Sequence, residues 1–417
     1  MVRHSILAGA CCAVLAGFAS SAIAADAGAP TPAATAPDPI ARAILGGHSS
    51  LALRLRYEGV DDDALAKGAT AVTLRSHLGW QSAPLAGFTA ALEVDDVRAL
   101  VDDYDATRGG DPTRPIVADP EGTEVNVAAL AYAHGATSAA LGRQRLVFDN
   151  QRFVGNVGWR QNEQTFDAIA LRTKALPRAE LAYAYVANVN RVYGPRDGGT
   201  QPANWHGGTH LLHATVNAGD AGTISLFAYL MEFDNAEAQS NATCGALWTG
   251  AVPLASGWKL PFALSYATQE DYGDNPVAYS ADYWQLEAGV AYGPVAVKLG
   301  RESLGGDATR AGHVFRTPLA TLHAFQGWAD KFLTTPAQGI EDTYVGVTGR
   351  VAGVEWQASW HDFGAEAVSR DYGTELDLSA SRKFAGRYEV LLKFADYRAD
   401  GFAADTRKYW LQFGASF

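Results

Sequence analysis

From residue 51 onward the chain alternates. Leu51, Leu53, Leu55 and Tyr57 are interleaved with Ala52, Arg54, Arg56 and Glu58, and Val72, Leu74, Leu78 and Trp80 with Thr73, Arg75, His77 and Gly79. Phe88, Ala90, Leu92 and Val94 against Thr89, Ala91, Glu93 and Asp95 repeat the pattern, as do Tyr409, Leu411, Phe413, Ala415 and Phe417 at the end of the chain. On a pleated strand such sets point to opposite faces. Strand-like segments begin near 47, 68, 86, 122, 136, 163, 178, 207, 221, 240, 257, 280, 294, 340, 352, 371, 385 and 405. Ten-residue alternating segments separated by turns are the signature of a membrane barrel, and a soluble sandwich or propeller also alternates.

The connections separate these readings. Links after even-numbered segments are tight: Ser82 to Leu85, His134-Gly135, Ala175 to Pro177, Gly219-Asp220, Gly293-Pro294, Ala352-Gly353 and Ala385-Gly386. Every long link (roughly 99–121, 148–162, 191–206 and 304–339) follows an odd-numbered one. Short turns on one rim and long loops on the other describe a barrel with periplasmic turns and outer loops. The pattern predicts an all-β chain: a transmembrane, antiparallel, up-and-down β-barrel of about 18 strands over residues 47–417. The terminal Phe417 fits a last strand of the kind outer-membrane insertion machinery reads.

The first residues carry an export signal. Arg3 precedes an apolar stretch from Ile6 to Phe18, and Ala22-Ile23-Ala24 is a cleavage site, so residues 1–24 read as a signal peptide. Cys11 and Cys12 leave with it; Cys244 remains, reads as a packed thiol and permits no intrachain disulfide. Residues 25–46, rich in Ala, Pro and Thr at their start, read as a flexible lead-in. Beyond the leader no apolar run is long enough for a spanning helix. The formal charge of −12 argues against a nucleic-acid partner. A Gram-negative outer-membrane location follows, with lipid and lipopolysaccharide as surroundings.

Two blocks carry a family resemblance. Gly142 to Ala168 reads GRQRLVFDNQRFVGNVGWRQNEQTFDA, and Thr317 to Val345 reads TPLATLHAFQGWADKFLTTPAQGIEDTYV. With Leu74 to Trp80 (LRSHLGW) they resemble the alginate export family of bacterial outer-membrane barrels and its porin-like branch. The resemblance spans about 45 to 417 and implies an 18-stranded barrel that conducts solutes. It names no substrate for this chain.

An Arg on the lipid face near the midplane costs about 2–4 kcal/mol, so Arg54, Arg56 and Arg75 must face the lumen, with Glu58, His77, Glu93 and Asp95. Arg143 and Arg145 share a face, Arg152 and Arg160 follow in the next loop, and Arg172 lies on the strand after it. Their planar forks suit carboxylate or phosphate, which predicts a positive stripe guiding anions. The same residues could instead pair with Glu58, Glu93, Asp95 and Asp167 and hold wall and inner loop together. Asp61, Asp62, Asp63, Asp102, Asp103, Asp105, Asp111, Asp119 and Glu121 read as solvated acids of the outer loops, with divalent-cation bridging to lipopolysaccharide as the other reading.

The 304–339 link is too long for a simple connection. Leu319, Leu322, Phe325, Trp328 and Phe332 recur at near-helical spacing between Pro318 and Pro336. Such a loop is expected to pack against the inner wall or mouth and narrow the channel, with Phe325, Trp328 and Phe332 at the constriction. The other use of those side chains is contact with a second protomer or lipid.

Catalytic chemistry has no support. His210 and His213 fall on opposite faces of a strand, so they share no metal, and no nucleophile elbow, phosphate loop or dinucleotide fingerprint occurs. No cofactor and no enzyme activity are expected. The chain is too short for a 22-stranded, plugged receptor. The sequence thus points to a porin-like channel passing hydrophilic or anionic small solutes by passive diffusion. Export of an anionic polysaccharide such as alginate, with periplasmic export partners, is the alternative; a structural or adhesive barrel with a closed lumen is the third.

Overall fold

A computed structural model describes residues 38–196 and 199–417. The expected signal peptide (1–24) and most of the expected lead-in lie outside the described residues. The last part of the lead-in is not irregular: Pro39–Leu45 form a short helix, α1. Proline suits a first helical turn, and Gly46-Gly47 follow the last one.

Eighteen antiparallel strands follow: β1 (His48–Asp62), β2 (Ala69–Gln81), β3 (Phe88–Asp103), β4 (Gly122–His134), β5 (Thr137–Gln144), β6 (Thr165–Thr173), β7 (Ala179–Asn190), β8 (Asn204–Asn217) and β9 (Thr223–Met231). The second half comprises β10 (Asn241–Pro253), β11 (Trp258–Asp271), β12 (Ser280–Tyr292), β13 (Val295–Leu304), β14 (Ile340–Val351), β15 (Val354–Gly364), β16 (Asp371–Phe384), β17 (Tyr388–Ala399) and β18 (Thr406–Ser416). Each begins within three residues of its expected start. Neighbours in sequence pair in order, and β1 pairs β18 from Ala52↔Ser416 to Asp62↔Thr406, so the sheet has no free edge.

One rim carries only short turns, as at Ala352-Gly353, where both residues have positive φ (49° and 77°), the hairpin geometry that matches strand twist. The opposite rim carries every long connection. Outside the barrel, Leu51, Leu78, Leu141, Leu286, Leu299 and Leu411 are exposed and meet lipid. Near the short-turn rim, Phe88 packs at a tilt on Tyr132, while Trp258 stacks with Tyr292 and Phe384 with Tyr388, as an interfacial aromatic girdle requires. Cys244 also faces outward, exposed on β10 rather than packed, because it shares the parity of Trp248.

The core lies inside the barrel. Leu146, Phe148, Phe153 and Val154 from loop 145–164 meet Phe315, Leu319, Ala329 and Phe332 from loop 305–339, together with Tyr229, Tyr283, Phe363, Tyr372, Tyr397 and Trp410 of the wall. Loop 305–339 is not the helix its spacing suggested. Only Leu322–Ala324 make a single 3-10 turn, because the apolar groups are spent on separate patches of wall. Phe332 packs on Phe363, Tyr372, Tyr397 and Phe402, and Phe325 lies over the Arg152 guanidinium at 4.7 Å.

Candidate functional site: the lumen and its inner loops

The period-two rule places Arg54, Arg56 and Glu58 of β1, Arg75 and His77 of β2, and Glu93 and Asp95 of β3 on the inner face, where Arg56, Glu58 and Asp95 are buried. Most of these charges meet an opposite charge. Arg75 spans Asp95 (2.9 Å) and Glu163 (3.4 Å), and Arg160 joins Glu58 (3.3 Å) to Asp330 (3.0 Å). Arg143 pairs with Asp167 at 2.7 Å, and Arg145 bridges Glu93 and Glu163. Burial opposes the Glu163 charge, but Arg145, Arg75 and the Asn126 amide outweigh it and bring its carboxyl down to about 2. Arg172 lies near the short-turn rim, half exposed, and pairs with Glu180 at 3.2 Å.

Arg54 differs: among the described residues its bonds run to the carbonyls of Gly158 (3.2 Å) and Arg160 (3.1 Å) rather than to a carboxylate. Arg56 holds the carbonyl of Trp159 (2.6 Å) and covers its ring, 4.1 Å from the centroid. The wall of β1 therefore grips loop 145–164 by its backbone. Asp119 does not belong to a solvated rim, as its loop position suggested. It is fully buried, contacts Arg56 at 3.5 Å and accepts the Gln161 N–H at 2.8 Å.

The far wall grips loop 305–339. Glu375 and Asp377 of β16 accept the N–H groups of Ala329 (2.7 Å) and Trp328 (3.2 Å). Lys393 of β17 stands 3.6 Å from the Trp328 centroid and 4.3 Å from that of Trp159, while its ammonium donates to His323 Nε2 at 2.6 Å. The two loops also join each other. Gly155 N–H donates to the Leu319 carbonyl (2.9 Å), Thr321 Oγ1 donates to Gln151 (2.7 Å), and Trp159 stacks on His323 at 4.9 Å.

Two chambers flank this joint body. On the long-loop side a cavity of about 700 Å³ is lined by the cations Arg114, Arg152, Arg160, Arg191, Arg316, Lys331 and Lys408 against the carboxylates Asp62, Asp105 and Asp330. Arg191 and Arg316 are bonded to no carboxylate among the described residues. Arg191 donates to the Pro202 carbonyl (3.0 Å) and lies 3.8 Å over Trp205; Arg316 donates to the Gly312 carbonyl (2.8 Å) and lies 5.1 Å over Tyr279. Burial lowers the Arg191 guanidinium to about 10, leaving it charged at neutral pH. On the short-turn side a cavity of about 540 Å³ is lined by Arg54, Arg75, His77, Arg145, Lys383 and Arg387 against Glu163 and Glu389.

The structure thus gathers Arg54, Arg56, Arg75, Arg145 and Arg160 around loop 145–164, sets Arg152 apart against Glu302 at 2.6 Å, and leaves Arg143 and Arg172 in pairs of their own. Arg191, Arg316, Lys393 and Lys408 were missed from sequence. The two lysines lie on strands whose parity marks them as inward, a usable signal; the two arginines lie in loops with no period to read. His210 bonds Tyr183 and His213 bonds Tyr229, on opposite faces as their spacing required. No cluster of His, Cys, Asp or Glu suited to a metal occurs among the described residues.

No family model matches the chain, and no curated protein does. The resemblance to the alginate export family therefore gains no independent support from sequence comparison. Solved structures do match. OccK1 (OpdK) of Pseudomonas aeruginosa superposes with a TM-score of 0.69 at 15% identity, covering 90% of this chain and 99% of that one. OpdK of the same organism, solved with vanillate, gives 0.69 at 16% over 90% and 99%, and OccAB4 of Acinetobacter baumannii gives 0.69 at 13% over 89% and 98%. The fold is that of these outer-membrane-type barrels, over nearly the whole length of both chains.

Proposed function

We propose that the chain is a porin-like outer-membrane channel through which small hydrophilic anions diffuse passively. The observation that carries this reading is the outer chamber, where seven cationic side chains face three carboxylates and the surplus includes two arginines without an acid partner among the described residues. A chamber of that size admits a single small organic anion, and Trp205, which lines it beside Arg191, favours one with a flat apolar body. Vanillate, held by a structural neighbour, is an aromatic carboxylate. The stripe of Arg54, Arg56, Arg75, Arg145 and Arg160 acts chiefly as the frame that fixes the inner loops, and the constriction is set by those loops with Phe325 and Trp328. Two of the three blocks of the alginate-export resemblance cover these two loops, the third lying on β2, so export of an anionic polysaccharide, with periplasmic partners, is the second reading. Conductance in a planar bilayer tests both. Anion preference with benzoate current supports the first, block by polyuronate at low concentration the second, and cation preference without benzoate current defeats the anion channel.

A further inference from the structure

Asp330 sits where a solute's carboxylate would bind. It lines the outer chamber together with Arg160 and Lys408, and it occupies both of them, at 3.0 Å and 2.7 Å. Its other oxygen accepts from His323 Nδ1 at 2.7 Å. The carboxylate is thus shared by a cation of loop 145–164, a cation of the β18 wall and an imidazole of its own loop. Remove it, and two lumenal cations lose a counter-ion, while loop 305–339 loses its ion pair with β18 and one of its several ties to loop 145–164.

The segment that carries Asp330 is under backbone tension. Gln326 and Asp330 adopt positive φ (49° and 61°), and Gly327 between them has φ 79°. Left-handed backbone at non-glycine residues is disfavoured and persists where surrounding contacts impose it. Those contacts are the Asp330 hub, the Gln326 amide on Arg152 and Glu302 at the start of the segment, Trp328 over Lys393, and the Trp328 and Ala329 N–H groups on Asp377 and Glu375. The other charges facing the hub are Glu58 on Arg160 and Lys393 on His323.

We propose that Asp330 is an internal stand-in for the transported anion: a carboxylate arriving in the outer chamber exchanges with it on Lys408 and Arg160, and the strained segment 326–330 then swings off the wall and opens the passage. The channel is in this sense held shut by its own counter-ion and opened by its solute. The inference rests on the anion-channel reading above.

The experiment is single-channel recording from the full-length folded barrel with sodium benzoate as probe, added on the long-loop side. The wild type should open at least about tenfold more often at saturating benzoate than without it. Asp330→Asn should fluctuate open without benzoate and respond less than about twofold. Lys408→Gln, which loosens the same hub and leaves Asp330 bonded to Arg160 and His323, should shift in the same direction, and it supplies the test if Asp330→Asn does not fold. Openings indifferent to benzoate in the wild type, or variants that gate as the wild type does, overturn the inference. If the channel is anion-selective and carries benzoate in those experiments, the functional reading survives and only the stand-in fails; cation selectivity without benzoate current removes both.

Discussion

Arg152 and Glu302 lie 150 residues apart in the chain and form a 2.6 Å ion pair whose side chains are almost wholly buried inside the barrel. The pair fastens loop 145–164 to β13, and Gln326 of the second inner loop reaches the same two residues. Burial disfavours the guanidinium's charge, but Glu302 and Tyr283 outweigh it and hold Arg152 protonated.

Removing one partner should therefore be severe. Arg152→Gln leaves Glu302 buried without its cation, an expected loss of about 3–5 kcal/mol. Arg152→Met with Glu302→Met should recover most of it, since two apolar groups replace two desolvated charges. Urea titration followed by gel mobility of heated and unheated samples measures both, and equal losses in single and double variants would show that the pair's charge is immaterial.

Selectivity should reside in the arginines that lack an acid partner. Arg191→Gln with Arg316→Gln is expected to halve the anion-to-cation permeability ratio or reduce it further. Arg143→Gln with Arg145→Gln should change it less, because those guanidiniums are neutralised by Asp167, Glu93 and Glu163. Reversal potentials in a KCl gradient decide. A larger effect from the second pair would return the stripe to the selectivity role its sequence suggested.

Acid should loosen loop 305–339. Burial lowers the His323 imidazole to about 3, despite Asp330 beside it, and Asp330 itself lies well below the usual carboxylate range because His323, Lys408 and Arg160 outweigh its burial. Both groups bind protons more readily in a detached loop, where an imidazole returns to about 6.5. The attachment is complete above pH ~6.5 and weakens as pH falls from there toward 3, by up to about 1.4 kcal/mol per pH unit for His323 alone. Open-state dwell times between pH 7 and pH 4 should lengthen in the wild type. The pH effect should shrink in His323→Gln.

Gly142 is fixed by geometry. Its φ is 116°, and a Cβ there would stand 2.2 Å from the Ala128 carbonyl oxygen. Gly142→Ala is expected to cost about 1–3 kcal/mol. Gly135→Ala, at φ 56° with nothing within 4 Å, should cost less. Parallel urea titrations test the contrast.

What could be read in the sequence was whatever a membrane imposes. Lipid on one side and water on the other write period two into every strand, so Leu51 and Arg54 reveal their faces without any knowledge of neighbours. Glu58, Glu93, Asp95 and Asp167 were legible as partners for the same reason: parity places them on the arginines' face. Loop residues obey no such period. The apolar spacing of Leu319 to Phe332 showed that loop 305–339 had to be covered, but a helix and an irregular strap satisfy that spacing equally, and only the wall decides. Arg152 with Glu302, Asp119 with Arg56 and the caged Lys393 depend on where a loop lands across the lumen, which no local pattern encodes.

The seam between β1 and β18 makes closure of the barrel an all-or-none event. Eleven residue pairs join β1 to β18, so the wall cannot shut until β18 is in place. Loop 145–164 is clasped by a segment more than 150 residues further along the chain, through Leu319 against Val154 and Gln326 against Arg152. Strand β18 is the piece that turns a ribbon into a vessel, and a barrel without it would lose its interior together with its rim.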